Sequence, residues 1–255
     1  MKKLQQKLNQ YLGISFFELS LFLVAFITGT YFTFNNGVSD LAWYDWVLWI
    51  DVSLGIVAAI ALLKKLSYSW ILLSLDAMFY GAAIIGQGIY ATGVINFLIT
   101  PLLLSLTLIT WKNHKDPETK LIQTRKLGIK EGLLFSLGVV MITALIGWPL
   151  SLLADETLKW RSWVDSFLAA LTVGAFTFSV FRYREAWYLF FFSNTVKIIM
   201  FTILLVLYPT EQTSPLSLIL AITYWLNAIY GMFVWRKSQK ESIVKKFNHQ
   251  EEVKK

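Results

Sequence analysis

Residues 187–208, WYLFFFSNTVKIIMFTILLVLY, are apolar and long enough to cross a bilayer, yet Asn194 and Lys197 sit near their middle. Read as a helix, Trp187, Phe190, Asn194, Lys197 and Phe201 recur at three- and four-residue steps and share one stripe. An ionisable group at the bilayer centre costs about 2.5–3.5 kcal/mol on insertion scales, so it faces the bundle interior or a water-filled cavity. The chemistry of such a stripe is recognition of a flat polar ring. Aromatic faces stack on a ring, more strongly on a cationic one, and the carboxamide of Asn194 both donates and accepts. The alternative for Asn194 is a hydrogen bond to a neighbouring helix that only packs the bundle. For Lys197 the structural reading leads: a buried ion pair with Asp76.

Two other patterns could do chemistry. Asp51 and Asp165 resemble an acid–base carboxylate pair, but each lies near a helix start without a glycine-rich surround for a peptide backbone. A first-turn carboxylate is favoured by the helix dipole, so capping is the first reading and substrate capture the second. Ser193 lies one turn from Lys197 and could meet it as nucleophile and base, but nothing nearby forms an oxyanion hole or a third, orienting group. With no cysteine, disulfides and thiolate chemistry are excluded. Both histidines, His114 and His249, lie in charged segments, and no metal-ligand cluster or phosphate loop is present. These absences argue against an enzyme and imply no cofactor or metal.

The elements that must position these residues follow from composition. Of 255 residues, 56% are hydrophobic and 15% charged, with eleven Trp and eleven Tyr, the profile of a polytopic membrane protein with interfacial aromatics. A bilayer needs roughly twenty apolar residues per helix. Segments near 16–34, 46–64, 69–87, 90–111, 131–153, 162–181, 186–208 and 216–235 qualify, giving an all-α protein of eight transmembrane helices. The first follows MKKLQQK but is too long for a signal h-region, and it reads as a retained helix. Lys and Arg total 23; of these, 20 fall in the N-terminal arm, at Lys64–Lys65, in 112–130, at Arg182 and Arg184, and from Arg236 onward. The alternate loops carry Asp40, Asp45, Asp155, Glu156 and Glu211. This alternation expects a multi-pass protein of the plasma (inner) membrane with both termini cytoplasmic. The basic balance is therefore an orientation signal, and nucleic acid is not the expected partner; the bilayer is. Trp70, Trp111, Trp160 and Trp235 read as belt anchors, and Glu18 as interfacial.

The two halves repeat. Trp46-x-x-Trp49 precedes Asp51 as Trp160-x-x-Trp163 precedes Asp165. Trp70 and Trp187 each follow a short basic turn and precede a polar residue, Asp76 or Asn194. Each half closes on a helix carrying Asn96 or Asn227 and ending in Trp plus a cation. Two three-helix units joined by one linker helix keep the same orientation, a parallel repeat. The expected parts are 1–45 (arm and extra helix), 46–112 (first unit), 113–155 (loop and linker), 156–237 (second unit) and 238–255 (tail).

GIYATGVINFLITPLLLSLTLITW (88–111), WVDSFLAALTVGAF (163–176), AWYLFFFSNTVKIIMF (186–201) and YWLNAIYGMFVWRK (224–237), in this order, resemble the Pnu vitamin transporters of the PnuC type, whose fold is similar to SWEETs. The resemblance implies facilitated diffusion of a vitamin or nucleoside, nicotinamide riboside first, without ATP or ion coupling. A cytoplasmic kinase would trap the product, and the assembly would be a homotrimer. Thiamine, riboflavin and deoxynucleosides are the alternatives; an intramembrane enzyme or a non-transporting binding protein stands behind them. The family's Trp-x-x-Trp-x-x-x-Asn motif falls on Trp187, Phe190 and Asn194, with Phe in place of the second Trp. Phe keeps a π-face and loses the indole donor. The implied mechanism is alternating access about a site lined by Trp187, Phe190, Asn194, Asn227 and Tyr230, and by Asp76, Tyr80 and Asn96 from the sister unit. Gly93 and Gly231 would let helices approach closely.

Overall fold

The computed structural model describes residues 16–34, 41–63, 69–114, 124–208 and 213–233. The Glu18 side chain, Lys64–Lys65, Trp235 and the tail lie outside the described residues. Eight helices are described: α1 Phe16–Phe34, α2 Trp43–Leu63, α3 Ser69–Gly86, α4 Tyr90–Asn113, α5 Ile129–Leu153, α6 Lys159–Val180, α7 Ala186–Leu207 and α8 Pro215–Phe233. Six of them, α3 to α8, have the length and hydropathy of membrane spans. Many of their large apolar side chains face outward, Leu134 at 72% and Leu145 at 70% exposure among them. Lipid solvates such a surface, whereas water would not.

Local chemistry explains the boundaries. Asp45 in the first turn of α2 accepts the backbone N–H of Ala42 at 3.2 Å, satisfying a helix-start donor. The turn between α3 and α4 needs Gly88, whose φ is +72°. Within α4 a π-turn spans Ile95–Ile99, and the Thr100 N–H reaches back to the Ile95 carbonyl. Pro101 has no N–H to give the preceding turn, and the wide turn absorbs that loss. Asn96 sits in it and donates its side-chain amide to Thr92 O at 2.8 Å.

Consecutive helices α1–α4 touch in series, α6 packs on α4, α5 and α7, and α8 closes the bundle through side chains of α2, α3 and α7. Leu48, Ile56, Leu168, Phe201, Leu204 and Leu220 share one buried core. Phe201, read from the sequence as the end of the polar stripe, is part of that core, 1% exposed. α5 lies at the periphery; its Phe135 packs where Gly174 of α6 leaves room.

Different contacts tie the two ends of the bundle. Arg125 exchanges backbone hydrogen bonds with Arg182 (2.9 Å) and Arg184 (3.2 Å), so two basic loops meet. Tyr183 in that turn donates to Glu131 at 2.9 Å, and the carboxylate raises the tyrosine pKa. At the opposite end Gln87 accepts from Ser214 N and Ser217 Oγ, while Arg161 donates to the Gln87 carbonyl.

Candidate functional site

A cavity of about 140 Å³ runs between α3, α4, α6, α7 and α8. From α7 come Trp187, Phe190, Ser193, Asn194 and Lys197, the stripe expected from its spacing. From α3 come Trp70, Asp76 and Tyr80; α4 adds Asn96 and Trp111; α8 adds Tyr224, Asn227 and Ala228. Thr172, Phe176 and Ser179 of α6, with Arg182 and Tyr183, complete the basic-loop end. Gln87, Arg161, Ser214 and Ser217 lie outside the walls, and their hydrogen bonds tie the other end of the bundle together.

Of the expected site residues, Trp187, Phe190, Asn194, Asn227, Asp76, Tyr80 and Asn96 all face this cavity. Tyr230 does not. On α8 the cavity face runs through Tyr224, Asn227 and Ala228 to Gly231, and Tyr230 lies off that stripe. Gly231 is the support: a Cβ there would lie 2.3 Å from the Trp187 ring. Gly93 likewise lets α4 press against α3, where a Cβ would meet Ile85 at 2.5 Å.

Several roles differ from expectation. Trp70 and Trp111 are buried, with rings in edge contact at 4.9 Å, and Trp111 donates to Ser179 O at 2.8 Å. They wall the cavity; a belt position would face the headgroups. The repeat carried that signal, since Trp70 is the counterpart of Trp187. The repeat-related pairs Trp70/Trp187, Asp76/Asn194 and Asn96/Asn227 all face the cavity.

The Lys197–Asp76 ion pair is not formed at contact distance among the described residues, where ion pairs within 4.0 Å are found at Lys159–Glu156 and Arg184–Glu185. Asp76 accepts the Tyr224 hydroxyl instead, and the Lys197 ammonium lies 5.0 Å above the centre of the Tyr80 ring, a cation–π contact. Tyr224 was not foreseen, because a single tyrosine on an apolar helix carries no local sign of a partner 148 residues away.

Asp165 does not cap its own helix. Its two oxygens accept the N–H groups of Ala91 and Thr92, each at 2.8 Å, and the Thr92 hydroxyl donates to Asp165 O at 3.2 Å. The carboxylate thus caps α4 from α6. Asp51 is fully buried at 0% exposure, and among the described residues its oxygens cap no helix start. Among the described residues no group of three or more His, Cys, Asp or Glu gathers as metal ligands.

Residues 45–237 match the family described as nicotinamide mononucleotide transporter. The chain belongs to that family. It is also similar to the crystal structure of the vitamin B3 transporter PnuC, with a TM-score of 0.67 over 93% of this chain and 97% of that one. Identity is 18%, so this likeness shows a shared fold. No curated protein matches the sequence. A multi-pass membrane transporter with a walled central cavity is the result, and the PnuC-type resemblance holds.

Proposed function

We propose that this transporter carries a flat, polar vitamin or nucleoside, nicotinamide riboside first, through the cavity by alternating access. The observation that carries this reading is the convergence of Trp187, Phe190 and Tyr80 with the carboxamides of Asn96, Asn194 and Asn227 on one space within the bundle. The aromatic faces would hold a ring, and the carboxamides would meet hydroxyls or a carboxamide. In the proposed cycle the cavity faces the basic-loop end, taken as cytoplasmic in the plasma membrane, and the Gln87–Ser214–Ser217–Arg161 contacts open on the other half-cycle. The units 46–112 and 156–237 would rock about the site in a 3+1+3 arrangement, an assignment supported by the convergence of repeat-related pairs and by the peripheral linker α5. Kinase trapping of the product and a homotrimeric assembly belong to the same reading.

One observation favours a second cargo class. The Lys197 ammonium stands in the cavity wall and would repel a cationic pyridinium or thiazolium, which favours uncharged riboflavin or a deoxynucleoside. Binding read by quenching of tryptophan fluorescence separates the two, because Trp70, Trp111 and Trp187 wall the space. Nicotinamide riboside is expected to quench saturably, with the effect lost in Trp187→Ala and Asn194→Ala. Saturable quenching by riboflavin or a deoxynucleoside alone replaces the cargo. No quenching by these ligands or by thiamine removes the vitamin reading and leaves the fold untouched.

A further inference from the structure

Two buried polar side chains in the cavity wall have no hydrogen-bond partner. Lys197 is 8% exposed and Asn194 6%, and both line the cavity. Among the described residues no hydrogen bond or ion pair holds either one, and the ammonium only overlies the Tyr80 ring at 5.0 Å. An ammonium has three N–H donors and no acceptor. Inside a bilayer such donors are costly to leave unmade. Asp76 does not answer them: no ion pair within 4.0 Å joins it to Lys197, and it takes the Tyr224 hydroxyl.

The two charges are staggered in depth. Trp70 of α3 meets Trp111, whose indole bonds Ser179 O beside the basic turn, so α3 and α7 both start at that end. At 1.5 Å per residue, Asp76 lies about 9 Å along α3 from Trp70, and Asn194 about 10 Å along α7 from Trp187. Tyr80 and Lys197 each lie about 15 Å along. The carboxylate is therefore level with Asn194, and the ammonium is one turn deeper. Nearer the basic loops Phe190 meets Phe176 at 5.1 Å and Trp187 at 6.1 Å between ring centres, faces that suit a flat cationic ring. A simple anion would meet Lys197 and be repelled by Asp76; a simple cation would meet the reverse. A zwitterion satisfies both.

We propose that Lys197 is a specificity-determining residue that receives a carboxylate of the cargo, while Asp76 faces the cationic ring bearing it. The cargo class is a pyridinium-carboxylate nucleoside, the acid counterpart of nicotinamide riboside. Asn194, level with Asp76, offers its carboxamide to the ribosyl hydroxyls. The assignment rests on the cavity being the cargo site, as proposed above, and refines its cargo.

The test is titration calorimetry on the full-length protein in detergent, comparing nicotinate riboside with nicotinamide riboside. The two differ only in carboxylate against carboxamide. The acid is expected to bind at least about tenfold tighter, the scale of one hydrogen bond to a charged group. In Lys197→Met the preference is expected to fall within about twofold, at an unchanged elution volume, because removing an unpaired buried charge does not oppose folding. Lys197→Gln is the second variant, with the same expected result. Equal or weaker binding of the acid by the unmodified protein overturns the proposal, whatever the variants do. A preference that survives in both variants also overturns it and leaves the ammonium to water. If nicotinamide riboside binds tighter and Asn194→Ala abolishes that binding, this proposal fails and the function proposed above stands. If neither riboside binds while riboflavin or a deoxynucleoside does, the cavity remains the cargo site and the zwitterion fails. If none of the four binds, both readings fail.

Discussion

Asp165→Ala is expected to lower the unfolding temperature in detergent by about 6–12 °C, from a loss of about 3 kcal/mol. The carboxylate answers two backbone N–H groups at the start of α4, both at 2.8 Å, from a side chain 2% exposed. Alanine leaves both donors buried and unpaired, and each such donor costs about 1–3 kcal/mol. Asp165→Asn keeps one acceptor oxygen and brings an amide hydrogen against the second N–H, so it should fall between wild type and alanine. The loss also reaches the site, because Thr92 receives the Asn96 amide in the next turn. Scanning fluorimetry reads the order directly. A shift under about 2 °C for the alanine variant, worth roughly 1 kcal/mol or less, would show that this cap does not hold α4.

Gly81→Val is expected to abolish recovery of folded, monodisperse protein. At Gly81 a Cβ would lie 2.6 Å from the Phe97 backbone nitrogen and 2.7 Å from the Gly93 carbonyl oxygen. Both are main-chain atoms of a packed helix, so neither can swing aside as a side-chain tip would. Overpacking of a core typically costs about 1–3 kcal/mol, and a branched side chain against backbone belongs at or above that range. α3 and α4 carry Asp76, Tyr80 and Asn96 to the cavity, so separating them dismantles the site as well. Gly138→Ala on α5 is the control. Nothing lies within 4 Å of a Cβ there, and alanine is the better helix former by about 1 kcal/mol. Size-exclusion chromatography decides: a wild-type profile for Gly81→Val would refute the close approach of α3 and α4.

Much of the cavity wall could be read from α7 alone. Trp187, Phe190, Asn194 and Lys197 share a stripe because 3.6-residue periodicity puts them there, and the cavity receives all four. The repeat extended this to Asp76, Asn96 and Asn227, since a residue facing inward in one unit has a counterpart facing inward in the other. The same logic applied to Trp187 would have moved Trp70 from the headgroup belt to the cavity wall. Tyr230 falls outside the cavity lining because three-residue steps along α8 drift off that face, while Gly231 stays on it beneath the Trp187 ring.

The polar partners were not legible. Asp165 reads as a first-turn cap of its own helix, yet it serves α4, 73 and 74 residues earlier in the chain. Asp51, its counterpart in the repeat, is buried, and neither of its oxygens receives a hydrogen bond among the described residues. Depth and charge in the sequence pair Lys197 with Asp76. Both side chains reach the same cavity, but a tyrosine intervenes on each side: Tyr224 takes the Asp76 oxygen and Tyr80 underlies the ammonium.

The sequence by itself determined the membrane class and the eight helices, six of which have the length and hydropathy of membrane spans. Those depend on hydropathy and segment length, which are local properties that each segment carries alone. Only the tertiary structure decided which buried polar groups meet. Inside a bilayer every such group must find a partner, and the partner is whichever atom the helix packing brings within about 3 Å. Close approaches at Gly55, Gly81 and Gly231 set that packing, across separations no local pattern records.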